Sequence, residues 1–490
     1  MEELILVAYI VCLSVLFLFG SHGFIMIYYH IKYRNRRRTE VGQMGAYPTV
    51  TVQLPVYNEL YVVGRLIDAA AAMVYPKDKL EIQVLDDSTD ATVEEVAAIV
   101  GRYREQGYDI THVRRGTRIG YKAGALKAGL ETARGELVAI FDADFIPRQD
   151  FLLKTVPHLV ADSGVGMVQT RWEHLNADYS LLTRTQAMAL DGHFVIEQAV
   201  RNKAGLFINF NGTAGVWRKS CIVDAGNWQA DTLTEDLDLS YRAQLRGWRF
   251  VYLNDVTSPA ELPSEINALK SQQFRWTKGA IETARKMLPE VWRSRLPLKL
   301  KIHATFHLTN NLVFPFIVAA GILNVPLVFI KHSGAYDSYF AFMSVFVFAF
   351  IGSFLFYLFS QRDAYSDWQR RLYLFPLFMA GSMGFAVNNS RAVLEGLFRK
   401  KSEFVRTPKY SIRSRKDSWT GKQYVPVKID PGVVVELLLA VYCLFGVVSS
   451  IYFLELAAVP FQLLFFLGFT IVAVLSLKHA YAGRRLNAGK

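Results

Sequence analysis

Four short clusters in this chain carry residue types that do chemistry together. Asp86-Asp87-Ser88 and Asp142-Ala143-Asp144 each end an apolar run, and Thr234-Glu235-Asp236, with Asp238 behind it, opens an amphipathic stretch. Gln272-Gln273-Phe274-Arg275-Trp276 follows, with Lys278 and Gly279 close after it. Carboxylates crowded at a strand end repel one another unless a cation or a ligand's hydrogen bonds lie between them. Asp-X-Asp sets two carboxylates on one side of an extended segment. Hard oxygen ligands of that kind suit Mg²⁺ or Mn²⁺, with diphosphate oxygens completing the shell. A carboxylate at a helix start beside a pocket serves as a general base. An arginine grips a diphosphate with two parallel hydrogen bonds, and a tryptophan offers a flat face to a sugar ring. Each cluster also has a plainer reading. The acidic ones suit solvated turns and helix N-caps, and Arg-Trp suits interfacial anchoring. Two acidic clusters on consecutive strand ends favour the cation.

The elements that must hold these clusters alternate. Thr49–Leu54, Glu81–Leu85, Asp109–Val113 and Leu137–Phe141 read as strands, and 59–74, 91–105 and 121–133 read as helices between them. That order predicts a mostly parallel sheet covered on both faces. Such sheets bind ligands beyond the carboxyl ends of their strands, where Asp87 and Asp142 fall.

This soluble block is set between apolar segments. Residues 4–31 are almost uncharged and exceed the about 20 residues that cross a bilayer. A cleaved signal peptide is the rival reading. It would start with basic residues, whereas Glu2 and Glu3 are acidic and Lys32, Arg34, Arg36, Arg37 and Arg38 follow the span. A retained anchor with the following residues cytoplasmic is therefore expected. Further spans are expected near 303–330, 338–360, 433–457 and 459–477, while 372–390 is broken by Pro376, Gly381 and Gly384 and either re-enters, lies in the interface, or crosses in place of a neighbour. Arg399, Lys400, Lys401, Arg406 and Lys409 place the 399–430 loop inside, and Lys478, Arg484 and Arg485 place the C-terminus there too. Residues 283–302 mix apolar positions with Arg285, Lys286, Arg293, Arg295 and Lys299, which suits a helix lying on the membrane.

Composition agrees with this division. Of the 490 residues, 52% are hydrophobic, too many for an ordinary soluble enzyme, yet about 250 residues in the middle are unremarkable. The net charge of +12 flanks the spans, so no nucleic-acid partner is expected. The three cysteines, Cys12, Cys221 and Cys443, have no metal or redox spacing.

The ordered set of clusters resembles the processive family 2 glycosyltransferases, cellulose synthase, hyaluronan synthase and their relatives, over about 48–430. Those enzymes share spaced Asp, Asp-X-Asp, Thr-Glu-Asp and Gln-X-X-Arg-Trp motifs. Gln53-Leu54-Pro55-Val56-Tyr57-Asn58-Glu59, Arg171-Trp172-Glu173-His174-Leu175-Asn176 and the Phe404-to-Lys409 segment bring it nearest to the cellulose-synthase-like A and C mannan and glucan synthases. The resemblance implies an α/β GT-A domain at 45–282, inserted between an anchor at 1–32 and later segments. Those are an interfacial helix at 283–302, membrane or re-entrant segments at 303–398, a gating loop at 399–430 and a closing pair of spans with its tail at 431–490.

It also implies roles. Tyr57, Glu59, Asp86, Asp87, Lys122 (in Lys122-Ala123-Gly124) and Arg275 would meet the nucleotide and its phosphates. Asp142 and Asp144 would hold Mg²⁺ or Mn²⁺, and Asp236 would be the general base with Glu235 beside it. Trp276, Gln272, Asn211 and Gly212 would meet the acceptor. Phe404, Arg406, Thr407 and Lys409 would close over the nucleotide, although Glu403-Phe404-Val405-Arg406-Thr407-Pro408-Lys409 departs by one shifted position from the family's loop. The cyclic-nucleotide-binding C-terminal domain of bacterial cellulose synthases has no counterpart here, so control by it is not expected. The expected activity is inverting polymerisation of a β-1,4-linked mannan, glucomannan or glucan from GDP-mannose or UDP-glucose. The product is a growing glycan, extruded from a multi-pass protein among the lipids of the cell membrane. A glycolipid product on ceramide, diacylglycerol or polyprenyl phosphate is the alternative, since Gln-X-X-Arg-Trp occurs in such enzymes as well.

Overall fold

The computed structural model describes residues 1–36, 42, 44–402, 404–425 and 429–487. Arg37, Arg38 and Glu403 lie outside the described residues, as do the side chains of Arg484 and Arg485. The strands are β1 (Val50–Val56), β2 (Leu80–Asp86), β3 (Ile110–Arg114), β4 (Leu137–Ile140), β5 (Val165–His174), β6 (Gly215–Arg218) and β7 (Arg249–Ala260). They form one sheet in the order β3-β2-β1-β4-β6-β5-β7. The pairs β1/β2, β1/β4, β2/β3 and β5/β7 are parallel, and β6 runs antiparallel to both β4 and β5. The mostly parallel expectation therefore holds, with one reversed strand in the middle.

Apolar side chains on the two sheet faces make two separate cores. Val50, Val52 and Leu54 pack on one face with Leu66 and Ile67 of the helix Val63–Ala71, while Leu85, Val138 and Ile140 face Leu126 and Leu130 of the helix Tyr121–Thr132. The period-two alternation along each strand produces this division. Between them the sheet carries buried polar rungs: Thr51 Oγ1 donates to Glu81 Oε2 at 2.6 Å and Gln53 Nε2 to Gln83 Oε1 at 3.1 Å. A buried donor must find such a partner, and Thr51 Oγ1 and Gln53 Nε2 each find it one strand over.

Among the described residues five helices are long and apolar enough to cross a membrane: Glu2–Tyr33, Leu298–His332, Asp337–Ala364, Gly432–Tyr452 and Leu456–Ala482. The chain is a multi-pass membrane protein by these segments. The stretch expected at 372–390 becomes two short helices, Phe375–Gly384 and Ala386–Leu397. At about 1.5 Å per residue neither reaches across the roughly 30 Å hydrocarbon layer. The first packs against the last span through glycine: a Cβ on Gly384 or Gly468 would overlap a backbone carbonyl of the other helix. Gly384→Leu is expected to cost about 1–3 kcal/mol through this overlap, read as a lowered unfolding temperature of the purified protein in lipid.

The structure redraws the segment expected at 283–302. One helix runs from Ile266 to Arg293, breaks, and a second starts at Leu298. Arg285 donates to the Gly396 carbonyl at 2.8 Å, and Lys286 reaches Gln229 at 2.7 Å and Asp238 at 2.9 Å. These two cations face protein partners, so the first half of the segment is a packed continuation of the helix that carries Arg275.

Candidate active site

A cleft of about 190 Å³ opens beyond the carboxyl ends of β1, β2 and β4. Tyr57 and Glu59 follow β1, Asp87 follows β2, and Asp142 and Asp144 follow β4. Lys122 comes from the helix after β3, and Glu235 and Asp236 start the helix Glu235–Leu245. Gln272, Arg275 and Trp276 lie on the long helix, and Phe404, Arg406, Thr407 and Lys409 come from the 399–430 loop. Asn211 and Gly212 complete the wall.

Asp86 is the one expected contact that the structure does not bring to the cleft. Its carboxylate is buried, bound to His112 Nε2 at 2.8 Å and to the Ser88 N–H at 2.8 Å. Neighbouring residues at a strand end point to opposite sides, so Asp87 takes the cleft and Asp86 braces the turn. Burial pushes the Asp86 carboxyl up, but the hydrogen bonds from His112 and Ser88 outweigh it and hold the carboxyl below its ordinary range. Asp87 receives both Nε (2.9 Å) and NH2 of Arg115.

Positive charge already stands against the Asp-X-Asp pair. Lys122 Nζ is 2.5 Å from Asp142 Oδ1 and 2.9 Å from the Gly212 carbonyl, and Lys409 Nζ is 2.6 Å from Asp144 Oδ2. Among the described residues no group of three or more His, Cys, Asp or Glu side chains forms a metal cage. Two carboxylates alone fit a hard divalent ion that keeps water or takes diphosphate oxygens for the rest of its shell.

Asp236 is partly buried in the cleft, and its Oδ1 accepts the Leu237 N–H at 2.8 Å. Burial, reinforced by the Glu235 charge and opposed by Lys122, pushes its carboxyl up to about 7. The Thr234 hydroxyl meets Thr283 Oγ1 at 3.1 Å and makes no cap bond, which disposes of the plain N-cap reading of that residue. Gly212 has φ +81, and a Cβ there would lie 3.1 Å from Asp236 Oδ2 and 3.4 Å from Lys122 Nζ. Only glycine meets both demands.

The loop closes the open side. Arg406 pairs with Glu59 at 2.8 Å, and the Phe404 ring stacks on Tyr121 at 5.6 Å. Arg275 lies 4.5 Å over Phe404, donates to the Val405 carbonyl at 2.9 Å and reaches Thr407 Oγ1 at 3.5 Å. Burial pushes the Glu59 carboxyl up to about 7, with Arg406 opposing it. Trp276 stands 6.4 Å from Trp172 of β5, and the two rings form an aromatic wall of the cleft.

Sequence reasoning missed three supports and the role of a fourth, Lys278. Arg118 stacks 3.3 Å over the Tyr57 ring, and Arg115 holds Asp87. Glu261 receives the Tyr410 N–H at 2.9 Å and Arg65 at 2.8 Å, fixing the end of the loop. Lys278, fully buried, binds the Lys400 carbonyl and Ser402 Oγ at the loop's start. The two arginines stand in a basic run after β3, which was the available signal.

Residues 48–279 match the model of a family described as "Glycosyltransferase like family 2". Glucomannan 4-beta-mannosyltransferase 1 of Oryza sativa subsp. japonica is 46% identical over 268 residues, which is 54% of this chain and 51% of that protein. Glucomannan 4-beta-mannosyltransferase 2 of Arabidopsis thaliana is 46% identical over 260 residues, 52% of this chain and 48% of that protein. The chain thus spans about half the length of these plant relatives. A solved structure of the mannosyltransferase PcManGT from Pyrobaculum calidifontis, in complex with GDP-Man and Mn²⁺, superposes with TM-score 0.55 at 21% identity, covering 81% of this chain and 100% of that one. That likeness gives the domain its GT-A fold.

Proposed function

We propose that this chain, whose residues 48–279 are a glycosyltransferase family 2 domain, polymerises a β-1,4-linked mannan or glucomannan from GDP-mannose with inversion. The observation that carries the reading is the convergence of Asp87, Asp142, Asp144, Asp236, Arg275 and Trp276 in one cleft beside a family 2 match. The plant relatives are glucomannan mannosyltransferases, and the GT-A neighbour holds GDP-Man, which supports mannose and guanosine over glucose and uridine.

In this mechanism the ionised Asp236 takes the proton of the acceptor 4-hydroxyl as its oxygen attacks the anomeric carbon from the face opposite the diphosphate. Inversion follows from that single displacement. Arg275 and Lys122 stand where negative charge develops on the leaving diphosphate. Mg²⁺ or Mn²⁺ held by Asp142 and Asp144 would supply further charge neutralisation there. Trp276 and Trp172 hold the acceptor ring flat, which fixes its attack geometry. Lys409 and Arg406 bring the loop down on the donor and exclude water.

A second cavity, about 720 Å³, lies among the membrane helices and supports extrusion. Glu197, Arg201 and His22 line one part of it, and Lys331 and Glu455, paired at 2.5 Å, line another. The basic residues after the first span and in the 399–430 loop favour a cytoplasmic catalytic domain in a cell membrane.

The test uses the full chain in lipid with Mg²⁺ or Mn²⁺ and labelled GDP-mannose or UDP-glucose in parallel. Label is expected in ethanol-insoluble polymer that an endo-β-1,4-mannanase digests, from GDP-mannose, with loss on chelation by EDTA and recovery on added Mn²⁺. Label confined to the organic-extractable phase would refute polymerisation.

A further inference from the structure

The segment Gly192–Gln198 is a π-helical turn, a rare form that collects at functional positions. It joins the two cavities. Asn211 lines the transfer cleft, and Glu197 and Arg201 line the intramembrane cavity. An unbroken run of hydrogen bonds links them: Asn211 Nδ2 to His193 Nε2 at 2.9 Å, His193 Nδ1 to Glu197 Oε2 at 3.0 Å, and Arg201 Nε to Glu197 Oε1 at 3.1 Å.

The direction of every bond in that run follows from one backbone carbonyl. Gln198 Nε2 donates to the Asn209 carbonyl at 2.8 Å, so that atom is nitrogen. The same nitrogen meets Asn211 at 2.7 Å, which must therefore present its carbonyl oxygen, Oδ1. Asn211 Nδ2 then donates to His193 Nε2, the imidazole proton sits on Nδ1, and that proton goes to Glu197. Burial pushes the Glu197 carboxyl up, but the His193 hydrogen bond and the Arg201 charge hold it well below its usual range, so the acceptor in that bond is a carboxylate. The Asn211 main-chain N–H is also fixed, donating to Gln169 Oε1 at 3.0 Å. The carboxamide is thereby oriented at both ends, and its second N–H is left for the cleft. Next along the chain, Gly212 stands against Asp236.

We propose that His193 is a positioning residue for the acceptor sugar, holding the Asn211 carboxamide with its remaining N–H turned toward an acceptor hydroxyl beside Asp236. This rests on the glycan-elongating function proposed above. The run leads away from the donor side and ends at the fully buried Arg201, whose NH2 has no hydrogen-bond partner at the cavity wall. A positioning device on that side acts on the acceptor and leaves the donor alone.

The experiment compares full-length wild type, His193→Ala and His193→Gln in lipid nanodiscs. It measures elongation of mannotetraose from GDP-mannose and, separately, acceptor-free hydrolysis of GDP-mannose. His193→Ala is expected to raise the mannotetraose KM by about tenfold, the scale of one misdirected hydrogen bond. Donor KM and acceptor-free hydrolysis stay within about twofold, which reports an intact fold and donor site. His193→Gln, whose amide oxygen accepts from Asn211 Nδ2, is expected to recover most of the loss. An unchanged acceptor KM, a parallel fall in hydrolysis, or no recovery in His193→Gln would overturn the positioning role alone. Absence of elongation by the wild type would overturn the functional reading, and this role with it.

Discussion

Asp236→Asn is expected to lower the rate of sugar transfer by about 10²–10⁴-fold, the range of a positioned general base, while GDP binding stays near wild type. The amide keeps the side chain's shape and its Oδ1 bond from the Leu237 N–H, so the helix start persists. It loses only the ability to take a proton. The same carboxyl sets the acid side of the pH profile. Its affinity for a proton is raised to about 7 by burial and by Glu235, and only the ionised form serves as base. Transfer should therefore rise with pH up to about 7 and level off above it, and the residual activity of Asp236→Asn should lose that dependence. Initial rates from pH-controlled assays, with GDP affinity measured alongside, decide it. Transfer in Asp236→Asn near the wild-type rate would remove Asp236 as the base.

Arg275→Ala is expected to reduce kcat by about 10²–10³-fold, the effect of losing one group that meets developing charge in a water-excluded site. Three contacts go at once: the bond to the Val405 carbonyl, the approach to Thr407 Oγ1 and the stack on Phe404. Burial disfavours the Arg275 charge, and the surrounding carboxylates Glu235, Asp142, Asp236 and Asp144 oppose that. Removing this cation leaves their repulsion uncompensated. Arg275→Lys restores charge without the planar fork and should recover only part of the rate. Rates near wild type in Arg275→Ala would show that the diphosphate is neutralised elsewhere.

Much of this arrangement was legible because its parts are local. The strands at Thr49–Leu54 and Glu81–Leu85 show the period-two alternation of a sheet, Leu137–Phe141 is a continuous apolar run, and the ends of the last two announced Asp87 and Asp142. The reversed strand Gly215–Arg218 is only four residues long and carries no period to read. Asp86 and Asp87 are alike in sequence, and only the side to which each points separates them. The boundary placed at 283 followed a change in composition, whereas the helix is set by packing: its buried positions run on from Thr277 and Lys278 through Met287 to Val291. A π turn has no distinct apolar period over seven residues, so the His193–Glu197 pair was invisible until its neighbours were placed.

The grip of Lys278 on the Lys400 carbonyl and Ser402 limits how far the loop can travel. At the far end Tyr410 is buried and tied to Glu261. Seven residues lie between Ser402 and Tyr410, and the chain from one mooring to the other has an extended reach of about 27 Å. With both ends fixed, the middle can lift as a short arch but cannot swing away. Phe404, Arg406 and Lys409 are thereby kept a short step from their seats on Tyr121, Glu59 and Asp144, however far the arch rises over its two piers.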